Sequence, residues 1–148
     1  MLSLPDIRAF VAGFPDFLIQ LAVALGLFAA ALVIYVRLTP HKEMKLIGDG
    51  NPSAALAFGG VVVGLAIPLG ACLANATGLI DLLIWSIITL LLQLLTFRIT
   101  DMLLHKLPTR IADGDVAAAV TLMAMKLGVA IVIAGAIQDP NLALIRAG

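Results

Sequence analysis

The length of its uncharged apolar runs most constrains what this chain can fold into. Ser53 to Ile80 is 28 residues without a charge, and Phe17 to Val36 is another 20. At about 1.5 Å of rise per residue, roughly 20 helical residues cross a hydrocarbon core about 30 Å thick. Leu82 to Phe97 adds 16 uncharged residues and reaches full length if it continues through Arg98 and Asp101 to Leu104. Val116 to Ile137 adds 22, interrupted once, by Lys126. The runs are continuous, whereas strands of a membrane barrel alternate apolar and polar residues. The chain therefore reads as an all-α transmembrane protein of four helices, in contact with the lipid bilayer. Its charged fraction, 12%, is about half that of a soluble domain and excludes one. A net charge of zero leaves no basic excess for a phosphate backbone, so no nucleic-acid partner is expected. A lone cysteine, Cys72, permits neither a disulfide framework nor a thiolate metal cluster within one chain.

Turn formers at Asn75-Ala76-Thr77-Gly78 separate the second span from the third and make them antiparallel neighbours. The other two connections, Arg37–Pro52 and His105–Asp115, are longer and polar. They hold Arg37, Lys42, Lys45, Lys106 and Arg110, against Arg8 and Arg146 at the ends. By the positive-inside rule both polar loops face the cytoplasm and both termini lie outside. Ala29-Ala30-Ala31 has the small residues of a signal-peptide cleavage site. Asp6 and Asp16 stand where a basic n-region belongs, so the run reads as a retained span. Residues 1–14 read as a separate interfacial segment, with Ser3 as cap, Pro5 in the first turn and Leu4, Ile7, Val11 and Phe14 on one face.

Shifted by 64 positions, the chain matches itself. His41-Lys42 falls on His105-Lys106, Asp49-Gly50 on Asp113-Gly114, and Ala54-Ala55 on Ala118-Ala119, within ten identities over the 27 positions from 41 to 67. Two membrane repeats of two helices each follow, residues 15–78 and 79–148, both in the same orientation. Asp-Gly supplies a turn, and Asn51 or Asp115 is placed to cap the span that follows. Paired helix N-termini could also form an anion or partner site, but capping alone accounts for these residue types. Two histidines with no cysteine nearby are a weak metal signature; headgroup contact suits His41 and His105 better, and no metal or cofactor is expected. A stripe of small residues, Ala57, Gly60, Gly64 and Ala71, maps onto Thr121, Ala124, Gly128 and Gly135. Such stripes let helices approach closely in lipid, so both read as helix-packing faces. Pro68 predicts a kink.

The two-helix unit, with entries Gly50-Asn51-Pro52-Ser53-Ala54-Ala55 and Gly114-Asp115-Val116-Ala117-Ala118-Ala119, resembles the YjfL-like family of uncharacterised bacterial inner-membrane proteins. The resemblance covers nearly the whole chain as two copies and implies a bacterial inner-membrane location. It implies no catalytic residues. One departure from simple duplication is Met123-Ala124 in place of Gly59-Gly60.

Polarity separates the halves. The second holds Lys126 in the fourth span and Thr89, Gln93, Thr96, Arg98, Thr100 and Asp101 in the third; Val62 and Ala29 stand where Lys126 and Gln93 have their counterparts. Near mid-bilayer a charged lysine costs at least about 2.5–3.5 kcal/mol. Lys126 lies about 200° around the helix from Ala124 and Gly128, so with that stripe inside it faces a subunit interface or a watery path. As structural glue it would snorkel or bond Gln93. Asp101 counts as about 12 Å away along the axis, too far for a simple pair, and is expected to meet Arg98 three residues earlier. No paired carboxylates, nucleophile elbow, zinc motif or phosphate loop appears, so no enzyme is expected. Two functions remain: a homo-oligomeric assembly passing a small ion or solute along the Lys126/Gln93 face, or a non-conducting scaffold or regulatory subunit that docks a cytoplasmic or membrane-stress protein through its two polar loops.

Overall fold

The computed structural model describes residues 4–39, 43–139 and 144–145, with side chains from residue 7 onward. His41, Lys42, Arg146 and the cap at Ser3 lie outside the described residues. Among the described residues these helices follow in order: α1 (Leu4–Leu38), α2 (Glu43–Gly48), α3 (Pro52–Asn75), α4 (Leu79–Leu103), α5 (Lys106–Ala112) and α6 (Val116–Ile137). Four of them, α1, α3, α4 and α6, are long and apolar enough to cross a membrane. The second-to-third break falls at Ala76–Gly78, as the turn formers require, and Thr77 donates its backbone N–H to Asp81 Oδ2 at 3.0 Å.

Two features differ from the sequence reading. The polar loops each contain a short helix, α2 or α5, which periodicity over six or seven residues is too brief to reveal. Residues 4–14 also form no separate element, because α1 runs unbroken through Pro15. Its 35 residues span about 52 Å, well beyond the hydrocarbon core.

The two spans that follow the short helices begin alike. Asn51 Oδ1 accepts from the backbone N–H of Ser53 and Ala54, and Asp115 Oδ1 from that of Ala118. Gly50 and Gly114, at φ +85° and +91°, take the left-handed conformation that closes α2 and α5. The Asn51 amide also donates to the carbonyls of Ile111 and Ala112, both at 3.1 Å, tying the start of α3 to the end of α5. Turn and cap geometry thus accounts for Gly50, Asn51, Gly114 and Asp115, while Asp49 and Asp113 are exposed.

Side by side, α3 and α6 form the spine of the bundle, running in the same direction from the end that carries α2 and α5. Three apolar clusters stack along it. Ala54, Ala57, Ile111, Ala119 and Leu122 fill the loop-bearing end. Tyr35, Val61, Leu65, Leu90 and Phe97 fill the middle. Ala71, Cys72, Leu82, Ala134 and Ile137 fill the far end.

The small-residue stripe behaves differently in the two halves. On α3, Ala57, Gly60, Gly64 and Ala71 are buried. On α6, Thr121, Ala124, Gly128 and Gly135 are exposed, so within the single chain this stripe does not pack inside. The 200° relation between Lys126 and this stripe holds, but the helix is turned the other way. Leaving glycine and alanine against lipid costs little, while leaving a charged lysine there costs several kcal/mol. Lys126 therefore decides which face of α6 turns inward.

Candidate functional site

Four elements converge on Lys126. Its side chain is fully buried, and its ammonium lies 3.1 Å from Asp101 Oδ1 on α4. It also donates to the Tyr35 hydroxyl on α1 at 2.9 Å. Tyr35 in turn donates to Glu43 Oε1 on α2 at 3.3 Å. The ammonium stands 4.9 Å from the Tyr35 ring centre and 5.3 Å from that of Phe97, within cation–π range. Tyr35 and Phe97 meet edge to face, with centres 6.2 Å apart, and wall the charge off from the middle of the bundle.

The pair with Asp101 overturns the axial count. In a helix each Cα–Cβ bond leans toward the N-terminus. Because α4 and α6 run in opposite directions, the Lys126 side chain leans toward the loop-bearing end while Asp101 leans back from it. The long lysine stem closes the remaining gap. Asp101 is thus engaged by Lys126, and Arg98 is exposed and donates to the Leu38 carbonyl at 3.4 Å. The expected Arg98–Asp101 pair is replaced by these two contacts. Lys126 also does not reach Gln93, nor does it face outward toward a subunit interface.

Other residues of the polar face on α4 do point inward. Thr89, Gln93 and Thr100 are buried, and Ser86, which the sequence reading passed over, extends the row by one turn. Ser86 Oγ and both amide atoms of Gln93 are buried with no hydrogen-bond partner. The Cys72 thiol donates to the Thr89 hydroxyl at 3.6 Å. Thr96 is half-buried and returns its hydroxyl to the Leu92 carbonyl at 2.7 Å, leaving it no part in the row. Phe97 interrupts the row between Gln93 and the charged cluster. It fits there because Gly64 has no side chain: a Cβ at Gly64 would stand 2.7 Å from the Phe97 ring.

At the loop-bearing end, Glu43 and Asp101 border a small cavity of about 10 Å³, shared with Thr39, Leu46, Pro108, Ile111 and Leu122. That is room for about one water molecule. Glu43 Oε2 is buried there without a hydrogen-bond partner. Burial pushes the Glu43 carboxyl above the usual 4.5; Lys126 opposes the shift and Asp101 adds to it. Asp115 goes the other way, held below the usual carboxylate range by the Ala118 N–H and then by Arg110, whose Nε lies 2.8 Å away. His105 and Lys106 are exposed on the loop. Among the described residues no three His, Cys, Asp or Glu side chains gather as metal ligands.

Neither Tyr35 nor Glu43 stands out in the sequence. The available signal was that Tyr35 is the only tyrosine and Glu43 the only glutamate in the chain.

A family profile described as Domain of Unknown Function (DUF350) matches residues 9–137. The chain belongs to this family. Over 63 residues it is 43% identical to the UPF0719 inner membrane protein YjfL of Escherichia coli, strains K12 and O157:H7 alike. The aligned stretch is 43% of this chain and 48% of each relative, so the chain spans about half the length of the curated relatives it matches. No solved structure matches. The family resemblance read from the loop motifs therefore stands, and the protein is a multi-pass inner membrane protein.

Proposed function

We propose that the protein passes protons through the interior of its four-helix unit, with Glu43, Tyr35, Lys126 and Asp101 as the relay at the loop-bearing end. One observation carries the reading: the buried ion pair of Lys126 with Asp101, linked through the Tyr35 hydroxyl to Glu43. A chain of titratable groups within hydrogen-bond reach moves a proton by exchanging donors for acceptors. The cavity beside Glu43 has room for about one water, which suits a proton better than a hydrated metal ion. Past the cluster, Phe97 is the barrier, and the unpartnered Gln93 and Ser86 continue the polar row beyond it.

The same reading takes the chain as two parallel two-helix repeats, residues 15–78 and 79–148, assembled as a homo-oligomer. The matching caps at Asn51 and Asp115 support the tandem, as do the paired turns at Gly50 and Gly114. The lysine and arginine bias puts both loops in the cytoplasm, with the first turns of α1 reaching the opposite interface. No catalysed reaction is assigned. A competing reading makes the cluster a clasp in a non-conducting scaffold, favoured by the two polar contacts of the Lys126 ammonium, with Asp101 and with Tyr35.

Proton flux into proteoliposomes under an imposed potential separates them. Conduction predicts flux above that of empty vesicles, abolished by Lys126→Leu and reduced by the near-isosteric Glu43→Gln. Flux equal to empty vesicles for the wild-type protein overturns proton passage and leaves the clasp.

A further inference from the structure

Although α3 and α6 begin with the same turn, they turn different faces toward one another. The α3 face carries the small residues. A Cβ added to Gly60 would stand 2.9 Å from the Met123 Cα, and Ala71 with Cys72 packs against Ala134 and Ile137 of α6. The α6 face is another one, buried at Leu122, Lys126, Ala130 and Ala134. Sixty-four positions earlier these are Phe58, Val62, Ala66 and Gly70, none of which is fully buried on α3. A contact between unlike faces of two equivalent helices is heterologous, and it leaves one face of each kind unused.

Both unused faces are open and shaped like the ones in use. On α6, a Cβ at Gly128 or Gly135 would meet nothing within 4 Å, although their counterparts Gly64 and Ala71 are buried. On the first half, an apolar groove of about 200 Å³ runs between α1 and α3 over Ala66, Gly70 and Leu73. The last two are the counterparts of Ala134 and Ile137, which α3 covers in the second half.

We infer that a second copy of this chain fills that groove. The small face of α6 on one copy docks against α1 and α3 of the next, repeating between chains the contact α3 makes with α6 within one. The inference rests on the tandem reading above and is independent of proton passage. Carried over by 64 positions, the Gly60–Met123 contact becomes Ala124 against Gly59 of the next copy. Likewise Gly64 against Phe97 becomes Gly128 against Val33, which is exposed. Small residues on both sides give the close backbone approach that drives helix association in lipid. One clasp is not repeated. The Asn51 amide donates to the end of α5, but its counterpart Asp115 carries a carboxylate, which has no proton to donate, and is held by Arg110. The joint between copies is therefore looser at its loop-bearing end than the joint within one.

Disulfide trapping in native membranes tests this, in a Cys72→Ala background. A heterologous joint predicts a cross-linked dimer when Gly59→Cys and Ala124→Cys chains are co-expressed, none from either alone, and a ladder of oligomers from the double variant. Its last rung gives the subunit number. A dimer from Ala124→Cys alone overturns the inference in favour of a two-fold contact; absence of the mixed dimer, with both variants inserted at wild-type level, overturns it outright. Gly128→Leu supplies the second readout: assembly mass falls to that of one chain while its thermal midpoint is kept, because nothing inside the chain meets the new side chain. Unchanged mass for Gly128→Leu also refutes the joint. Proton flux measured on the same variants reports on the relay separately.

Discussion

Replacing Lys126 with leucine should destabilise the bundle by about 3–4 kcal/mol, and the structure says where that comes from. Leucine keeps most of the apolar stem, so no large cavity opens. What remains is Asp101, whose side chain is 16% exposed and loses its counter-ion. Removing one partner of a buried pair costs roughly 3–5 kcal/mol, and partial exposure places Asp101 at the lower end, about 3 kcal/mol. Tyr35 loses its hydrogen bond from the ammonium, roughly 1 kcal/mol more. Most of this is the cost of an orphaned carboxylate, so Lys126→Leu combined with Asp101→Asn should recover well over half of it. Reversible unfolding in mixed micelles, run as a double-mutant cycle, measures both quantities. A single variant within 0.5 kcal/mol of wild type would mean that Lys126 and Asp101 are not paired in the bilayer. Additive single and double variants would refute the coupling even if each is destabilised.

Two further outcomes follow from the same geometry. Because burial raises the Glu43 carboxyl above its usual 4.5, the folded state binds that proton more tightly than the unfolded chain. Stability from this group is full below about the ordinary glutamate value and is lost as pH rises through the folded one; Glu43→Gln should flatten that slope in a pH series of unfolding measurements. Gly60→Ala and Gly128→Ala should behave oppositely although both lie in the small-residue stripes of their halves. The first drives a Cβ against the Met123 backbone and should cost about 1–3 kcal/mol, while the second meets nothing and should leave the single chain's stability unchanged.

The site was partly legible. Lys126, Gln93, Thr89, Thr100 and Asp101 were visible because polar residues are conspicuous in an apolar run, and the structure buries or half-buries all five. What they touch was not visible. Counting residues along an axis gives Cα heights, and Lys126 meets Asp101 through side-chain lean and length. Tyr35 and Glu43 were hidden for another reason. A tyrosine near the end of a span usually reads as an interfacial anchor, and a glutamate in a loop as a solvated charge. Only convergence with α4 and α6 gives them partners.

Sequence alone determined the number of spans and the turns that start α3 and α6. Each depends on local quantities: hydrocarbon thickness against run length, the left-handed backbone of Gly50 and Gly114, and the cap oxygens of Asn51 and Asp115. Tertiary structure alone decided which face of each helix turns inward. In lipid, apolar burial drives nothing, so a helix such as α6, apolar but for Thr121 and Lys126, carries no hydrophobic periodicity that marks its inner side. That choice falls to a few strong local energies, the pairing of Lys126 with Asp101 and the fit of Gly60 against Met123, which exist only once the neighbouring helices are in place.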